Sequence, residues 1–429
     1  MSYAMSRRGI VCALAALLCW PALAQDQAAP PATAATATLT LADTVQRALA
    51  QHPDVQSAQE AIRRAWAQVE SARSRRKPLL SLDAGIAATK TLGRAAASTN
   101  EASIGLNFEI FNTTREREIK RVEVQAQAQE YGLPEAQRQL AFEVKSAYYD
   151  ILASRELARA LLQSVAASER HRDLVEGRIE AGASPRSDLL PVLVEVAQAR
   201  LQATQAETSL ETAQSRLRAL LELPPAAELA LGAALPTPDY KRELTPLLEQ
   251  AKQDRPDVKQ QELSVRAAEL ATRIAQAQTG VQFNATATAD YGAHTGDTGE
   301  AWQVQVGATY PLFDGGSSRA GVTSAQASEA IERRRLDSLL LSVQQQVETA
   351  HWQARQAVAS YDTATVARRD AENSLAAAEA RYAEGLAIII EVTDAQVQLL
   401  QAQVSEVQAR LDYAAALASL DLATGASPL

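Results

Sequence analysis

Four stretches of the chain alternate between apolar and polar residues, which is the pattern of a β-strand with one apolar and one polar face. They cover residues 80–88, 103–110, 281–291 and 302–312. A tilted membrane strand needs about 9–11 residues, and the four stretches have similar lengths. The pattern therefore predicts four strands, which come in two pairs.

Each pair is joined by a connector of small and polar residues, 91–100 in the first pair and 292–300 in the second, and both are predicted to be hairpin loops. The apolar face of each strand is predicted to contact lipid, and Ile110 continues the apolar series of the second strand. The predicted lipid-facing side chains are Leu82, Ile86, Ile104, Leu106, Phe108, Phe283, Val304 and Val306.

Long helices are predicted after each pair of strands. Residues 317–427 lack proline and are rich in Ala, Gln, Glu, Arg and Leu, which favour helix, and Gly385 divides them into two arms. The longer arm would reach about 100 Å at about 1.5 Å per residue. Residues 114–222 repeat this composition, with a kink predicted at Gly132 and Pro134. Helices of this kind bury little surface alone, so we predict a coiled coil or a helical cylinder.

The two halves of the chain repeat one pattern. HPDV at 52–55 returns as RPDV at 255–258, and Arg178 returns as Arg381 at the same spacing. This predicts two structural repeats, each with two barrel strands and long helices. In each copy the proline is predicted to open a short helix. The predicted boundaries are 41–225 for the first repeat, 226–243 for a linker rich in Pro and Ala, and 244–429 for the second repeat.

Four strands are too few to close a membrane barrel, because the smallest known barrels have about eight. A barrel must then be shared between subunits, and two copies would give a filled interior while three would leave a lumen. The alternative is a soluble sandwich of four strands. It is disfavoured because the sequence offers no further strands to cover a second sheet.

The N-terminus resembles an export signal. Arg7 and Arg8 precede an apolar run that ends near an Ala-Leu-Ala site, which predicts a signal peptide over 1–24, starting at Met1 or Met5. Residues 25–40 are predicted to be a disordered tail. The only cysteines, Cys12 and Cys19, lie in the signal, so no disulfide and no soft metal ligand is expected afterwards.

Charge and motif content argue against two other classes of protein. The net charge of −9 is unfavourable for binding nucleic acid. The four histidines are scattered and show neither the spacing of metal ligands nor a nucleophile motif. No enzymatic activity and no cofactor are therefore expected.

Several motifs together resemble the TolC family of outer-membrane efflux proteins. YPLFDGG at 310–316 leads from strand to helix, with Pro311, Phe313, Gly315 and Gly316 as its marked positions. Tyr382-Ala-Glu-Gly385 is followed by the acids Glu391 and Asp394, and GASPRSDLL at 182–190 is similar in the first copy. The first copy departs from the strand-exit motif, with Phe-Asn-Thr-Thr at 111–114.

The resemblance implies a mainly α fold with a membrane β-barrel, assembled as a homotrimer in the outer membrane and reaching into the periplasm. Such a protein is a passive conduit for small molecules or peptides. Its implied partners are a periplasmic adaptor, an inner-membrane pump of the resistance-nodulation-division or ABC type, and outer-membrane lipid. The alternative is a periplasmic coiled-coil adaptor or scaffold without a pore.

The family's pore gate lies at the turns between its long helices, which implies gate positions Asp188, Tyr382, Glu391 and Asp394. A basic residue expected after the second turn is replaced by Ala387, and Arg186 is the candidate to take its tethering role. Glu391 and Asp394 lie three apart on one helix face, so three copies would form an acidic, cation-selective ring. The alternative is a solvated acidic patch that the helix dipole favours.

Overall fold

The structure is a computed structural model that describes residues 39–89, 97–294 and 297–427. The predicted signal peptide and residues 25–38 of the predicted tail lie outside the described residues. The chain is mainly helical with one sheet of four strands, as predicted. In the first half the elements are α1 (Leu41–Gln51), α2 (Pro53–Ser74), β1 (Leu79–Thr89), β2 (Ala97–Asn112), α3 (Arg115–Glu130), α4 (Gly132–Glu180), a 3-10 turn (Arg186–Asp188) and α5 (Leu189–Leu220). In the second half they are α6 (Leu244–Asp254), α7 (Pro256–Gln278), β3 (Gln282–His294), β4 (Asp297–Thr309), α8 (Ser317–Ala383) and α9 (Ile389–Thr424).

Local chemistry sets several helix boundaries. Pro53 and Pro256 are the first residues of α2 and α7, as predicted for HPDV and RPDV, but these helices are 22 and 23 residues long rather than short. The residue before each proline is extended. The predicted kink in the first long arm is a break, because α3 ends at Glu130 and α4 begins at Gly132. Pro134 then lies in the first turn of α4, where its missing N–H is not needed.

The long helices pack as two antiparallel pairs, α4 with α5 and α8 with α9. Along the helices between the sheet and the far turns, α1 and the linker cover a core that includes Val144, Tyr148, Leu152 and Leu217, all almost completely buried. Along α9 many of the buried residues are alanines, whose small side chains let neighbouring helices approach closely. Within the described ranges, no helix has an apolar stretch that is long enough to cross a membrane.

The four strands form an antiparallel meander in the order β1-β2-β3-β4. Leu82 pairs with Ile104, Leu106 with Ala289, and Ala287 with Val304, so the apolar faces of neighbouring strands coincide. In the described chain β1 and β4 each have one edge without a strand partner. The sheet is therefore open at both of its edges, along β1 and along β4.

The predicted connectors were too long. β2 begins at Ala97, β3 continues to His294 and β4 begins at Asp297, so the strands extend into segments that we expected to be loops. Strand propensity depends on context, so small polar residues can join a strand when a neighbouring strand supplies backbone partners. At the other end β4 stops at Thr309, three residues earlier than the alternation suggested.

A β-bulge in β2 changes which side chain continues its apolar face. Glu109 pairs with Thr286 and Phe111 pairs with Ala285, so Ile110 is the extra residue. Phe111, not Ile110, therefore shares a face with Phe108. The prediction that Ile110 continues the series was wrong because alternation assumes an unbroken register.

The apolar face of the sheet is open to solvent in a single chain. Exposure reaches 75% for Leu82, 79% for Val306 and 80% for Trp302. Of the predicted lipid-facing residues, Ile104, Leu106, Phe283 and Val304 are also exposed, and Phe108 is half-buried. The side chain of Ile86 lies outside the described residues. An apolar surface this continuous needs a partner or a membrane to cover it.

The opposite face is polar and locally well packed. Ser81 and Asp290 lie over Gly105, and a Cβ there would come within 2.8 Å of Asp290 Oδ1. Asn284 covers Gly307 in the same way, at 2.9 Å. The glycines leave room for these polar side chains. Since the side chains on this face are polar, water rather than lipid is its suitable surrounding.

Candidate functional site

The candidate site lies at the two turns farthest from the sheet, where α4 leads to α5 and α8 leads to α9. Both long helices end in the same way, with Gly182 and Gly385 in the left-handed region at φ 71° and 76°. The N–H groups of Ala183 and Leu386 then donate 2.8 Å hydrogen bonds to carbonyls in the last helical turn. This is the Schellman arrangement, which satisfies carbonyls that would otherwise lack partners.

Replacing Gly385 with alanine is expected to destabilise the α8–α9 turn by about 1–2 kcal/mol, because a Cβ is disfavoured at positive φ. Gly177 provides a matched control, since it lies inside α4 with no atom within 4 Å of an added Cβ. Gly177→Ala should stabilise the protein by up to about 1 kcal/mol. Denaturant unfolding of both variants checks the opposite signs, and equal shifts would contradict the assigned turn.

The two turns are held side by side by an apolar cluster. It contains Val175 of α4, Val192 of α5, Tyr382 of α8, and Ile389 and Val392 of α9, all buried. Burial of such side chains contributes about 1.5–3 kcal/mol each. The turns therefore form one packed unit within a single chain.

Arg178 of α4 contacts the end of α8. Its Nη1 donates a 3.0 Å hydrogen bond to the carbonyl of Tyr382, and its guanidinium carbon lies 4.7 Å from the centre of the Tyr382 ring. His171 meets the same ring edge-on, with 6.3 Å between ring centres. A hydrogen bond and a cation–π contact on one buried ring hold the two helices in a fixed register.

On the side of the apolar cluster that faces the sheet, Glu195 of α5 connects α5 to α4 and α9. Its carboxylate accepts hydrogen bonds from Ser168 Oγ of α4 at 2.7 Å and from Thr393 Oγ1 of α9 at 3.2 Å. His171 Nδ1 of α4 lies 3.5 Å from Glu195 Oε2. The side chains of Glu195 and His171 are only 11% and 6% exposed. Glu195, Ser168, His171 and Thr393 are called the Glu195 cluster below.

Burial raises the pKa of Glu195, but the neighbouring His171 and the hydroxyl groups of Ser168 and Thr393 lower it by more, so the net pKa lies below its ordinary value. The carboxylate is therefore ionised at neutral pH. Removing it would leave buried polar partners without an acceptor, which is costly.

The structure places the predicted gate residues at these turns but gives them different environments. Tyr382 is buried, Asp394 is exposed, and Asp188 precedes α5. Glu391 is not a free acid, because Arg381 Nη2 lies 2.6 Å from its Oε2. Arg186 is exposed and, in the part of the chain that the structure describes, no carboxylate lies within ion-pair distance of it.

Sequence reasoning missed four residues that build the site: Arg178, Arg381, Glu195 and His171. Arg178 and Arg381 each lie four residues before the glycine of their turn, so both turns carry the same charge at the same place. That equivalence was a usable signal. The chemistry of Glu195 and His171 had no local signal, because their partners lie on other helices.

The strand-to-helix motif lies between β4 and α8. Gly315 and Gly316 have φ 64° and 90°, while Asp314 accepts hydrogen bonds from the N–H groups of Gly316 at 2.9 Å and Ser318 at 2.7 Å. In the first copy Asn112 accepts from Thr114 N at 2.9 Å. In this first half of the chain an amide therefore accepts the hydrogen bond that the Asp314 carboxylate accepts in the second half.

The residues at the two turns hold helices together, and the sheet at the other end presents an exposed apolar face. Within the described ranges, no group of His, Cys, Asp or Glu side chains is arranged as a metal site. The model of the outer membrane efflux protein family matches residues 44–222 and again residues 247–426. The chain therefore belongs to the outer membrane efflux protein family, and the resemblance seen in its motifs is confirmed. As a member of this family it is an outer-membrane efflux protein, and the family match favours export over a scaffold without a pore.

The fold is similar to those of solved outer-membrane channels. VceC, an outer membrane protein from Vibrio cholerae, is 19% identical, with a TM-score of 0.78 over 91% of this chain and 97% of that one. The CmeC outer membrane channel of Campylobacter jejuni is 16% identical, with a TM-score of 0.78 over 90% and 85%. The open state of the MtrE outer membrane channel of Neisseria gonorrhoeae is 19% identical, with a TM-score of 0.77 over 90% and 89%. No curated protein matches the sequence.

Proposed function

We propose that three copies of this chain close a twelve-stranded barrel in the outer membrane and continue it as a helical tunnel through the periplasm. Each structural repeat, 41–225 and 244–429, supplies two strands, and the linker 226–243 joins them. A periplasmic adaptor and an inner-membrane pump of the resistance-nodulation-division or ABC type complete the tripartite system. The channel passes small molecules or peptides without chemical change.

The observation that carries this proposal is the open four-stranded sheet. It has two edges without strand partners and an exposed apolar face, which lipid can cover. Two copies would make eight strands, whose interior is filled by side chains, whereas three leave a lumen. The polar face around Ser81, Asn284 and Asp290 would then line the water-filled side.

Native mass spectrometry of the protein extracted in mild detergent tests the assembly. A trimer is the expected species, because three four-stranded sheets are the fewest that give a closed barrel with a conduit. A stable monomer or dimer would contradict the proposal. Recovery of the protein in a detergent-free periplasmic extract would instead favour a scaffold without a pore.

We further propose that the helix turns form the gate at the periplasmic mouth. Asp188, Glu391 and Asp394 lie at these turns, so three-fold symmetry would repeat each acid around one opening. Because Arg381 neutralises Glu391 in part, Asp394 is the less compensated charge of the second repeat. Arg186 has no acidic partner within its own described chain, so its tethering partner would belong to a neighbouring copy.

Replacing Glu391 and Asp394 together with alanine is expected to shift the reversal potential toward non-selectivity, because each copy loses two negative charges at the mouth. Single-channel recording across a salt gradient measures this shift. Glu207→Ala, which removes an exposed acid from the middle of α5, is the matched control and should leave the reversal potential unchanged. An unchanged reversal potential in the double variant would mean that these acids form a solvated patch outside the conduction path.

A further inference from the structure

We propose that a group of basic side chains at the helix end of the sheet binds the headgroups of anionic phospholipids. The group consists of Arg75, Lys77, Arg117 and Arg319 and is called the basic margin. This inference rests on the proposed function, since that function places the sheet in the outer membrane. The bound lipids would belong to the leaflet that faces the periplasm.

The basic margin lies at one end of the sheet. Lys77 comes two residues before β1, and Arg117 lies in the first turn of α3, just after β2. Arg319 occupies the corresponding place in α8 after β4. Because neighbouring strands are antiparallel, the start of β1 and the ends of β2 and β4 lie at the same end of the sheet. The Arg115 side chain also donates to the Arg75 carbonyl at 3.3 Å, which joins α2 to α3 there.

The four side chains differ from the basic residues around them. Arg73 pairs with Glu123 at 2.8 Å, Arg76 pairs with Glu116, and Arg115 has Glu109 within 3.8 Å. All members of the basic margin are exposed. Among the described residues none of them has a carboxylate within ion-pair distance, although the chain as a whole carries a net charge of −9.

Helix stability does not account for the whole arrangement. Arg75 and Lys77 follow the C-terminus of α2, where the helix dipole favours a cation. Arg117 and Arg319 lie in the first turns of α3 and α8, where the dipole disfavours one. An external anion at this level would compensate for that unfavourable placement.

The neighbouring apolar surface identifies the anion as a lipid. Leu80, on the apolar face beside Lys77, is 69% exposed, and Leu312 and Phe313 before Arg319 are 91% and 92% exposed. Cations directly below an apolar band match the order of headgroup and acyl chain in a leaflet. Each cation near an anionic membrane surface strengthens association by about fivefold.

The test is native mass spectrometry of the full-length protein in detergent with added phosphatidylglycerol or phosphatidylcholine. The native protein is expected to retain phosphatidylglycerol at least about tenfold better. The variant Arg75→Gln, Lys77→Gln, Arg117→Gln, Arg319→Gln should lose that preference. A control replaces four exposed arginines elsewhere, none with an ion pair among the described residues, and should keep it: Arg64→Gln, Arg159→Gln, Arg170→Gln, Arg242→Gln.

The same spectra test the lipid site separately from the trimeric channel on which it rests. Trimers that retain both lipids equally, or a quadruple variant that keeps its preference, would overturn the lipid site while leaving the channel intact. Equal retention of inorganic phosphate would assign the basic margin to free anions and also overturn it. Absence of trimers would overturn the proposed function and, with it, the site.

Discussion

Leu106→Asp is expected to prevent assembly in the outer membrane, whereas Asn107→Asp is expected to leave assembly intact. Leu106 lies on the exposed apolar face of β2, between its neighbours Leu80 on β1 and Ala289 on β3. A carboxylate on the lipid face near the middle of a bilayer is destabilising, although by less than the about 2–4 kcal/mol that Arg or Lys costs there. Every copy in the assembly repeats this cost. Asn107 points to the polar face, where a carboxylate meets water.

Cell fractionation and native electrophoresis of the outer-membrane fraction measure this difference. The adjacent pair is a strict comparison, because both variants introduce the same side chain one position apart in one strand. Ile104→Asp should behave like Leu106→Asp. Equal tolerance of both faces would mean that the strands do not contact lipid.

Glu195→Ala is expected to release α9 from α4 and α5 and to raise the basal conductance of the channel. The substitution removes the acceptor for Ser168 and Thr393 and the carboxylate beside His171. Hydrogen bonds to a charged group contribute about 1.5–3 kcal/mol each. Because the Glu195 cluster lies just above the proposed gate, its loss should favour open turns. Conductance in planar bilayers and hydrogen exchange of α9 amides measure the two effects.

Two control variants separate the cluster from general loss of charge. Glu195→Gln keeps an oxygen acceptor and should give an intermediate conductance, while Glu207→Ala on the exposed side of α5 should behave like the native protein. If Glu195→Ala leaves both conductance and α9 exchange unchanged, the cluster does not hold the gate.

The same cluster predicts a pH dependence. The pKa of Glu195 in the folded protein lies below its ordinary value of 4.5. Its contribution to stability is therefore complete above that ordinary value and is lost as the pH falls through the folded pKa. Glu195→Gln should lose less stability than the native protein over this acidic window. Identical acid unfolding curves would contradict the assignment.

The strands and long helices could be predicted from the sequence because their signals are local and periodic. Alternation located all four strands, with ends up to six residues from those in the structure, and the absence of proline from 317–427 predicted α8 and α9 around Gly385. The prolines of HPDV and RPDV marked two helix starts through their own backbone restriction. The motifs were enough to identify the family, since they carry capping and turn chemistry that neighbouring residues complete.

Only the tertiary structure decided the contacts between elements. The bulge at Ile110 depends on the register against β3, which no periodicity in β2 reveals. Glu195 receives its partners from α4 and α9, and Tyr382 receives Arg178 from the other half of the chain. A sequence pattern records which face of a helix or strand is apolar, but the rotation and axial position of one helix against another are determined by packing. The motifs alone therefore pointed to the two turns, and helix packing decided which side chains hold those turns together.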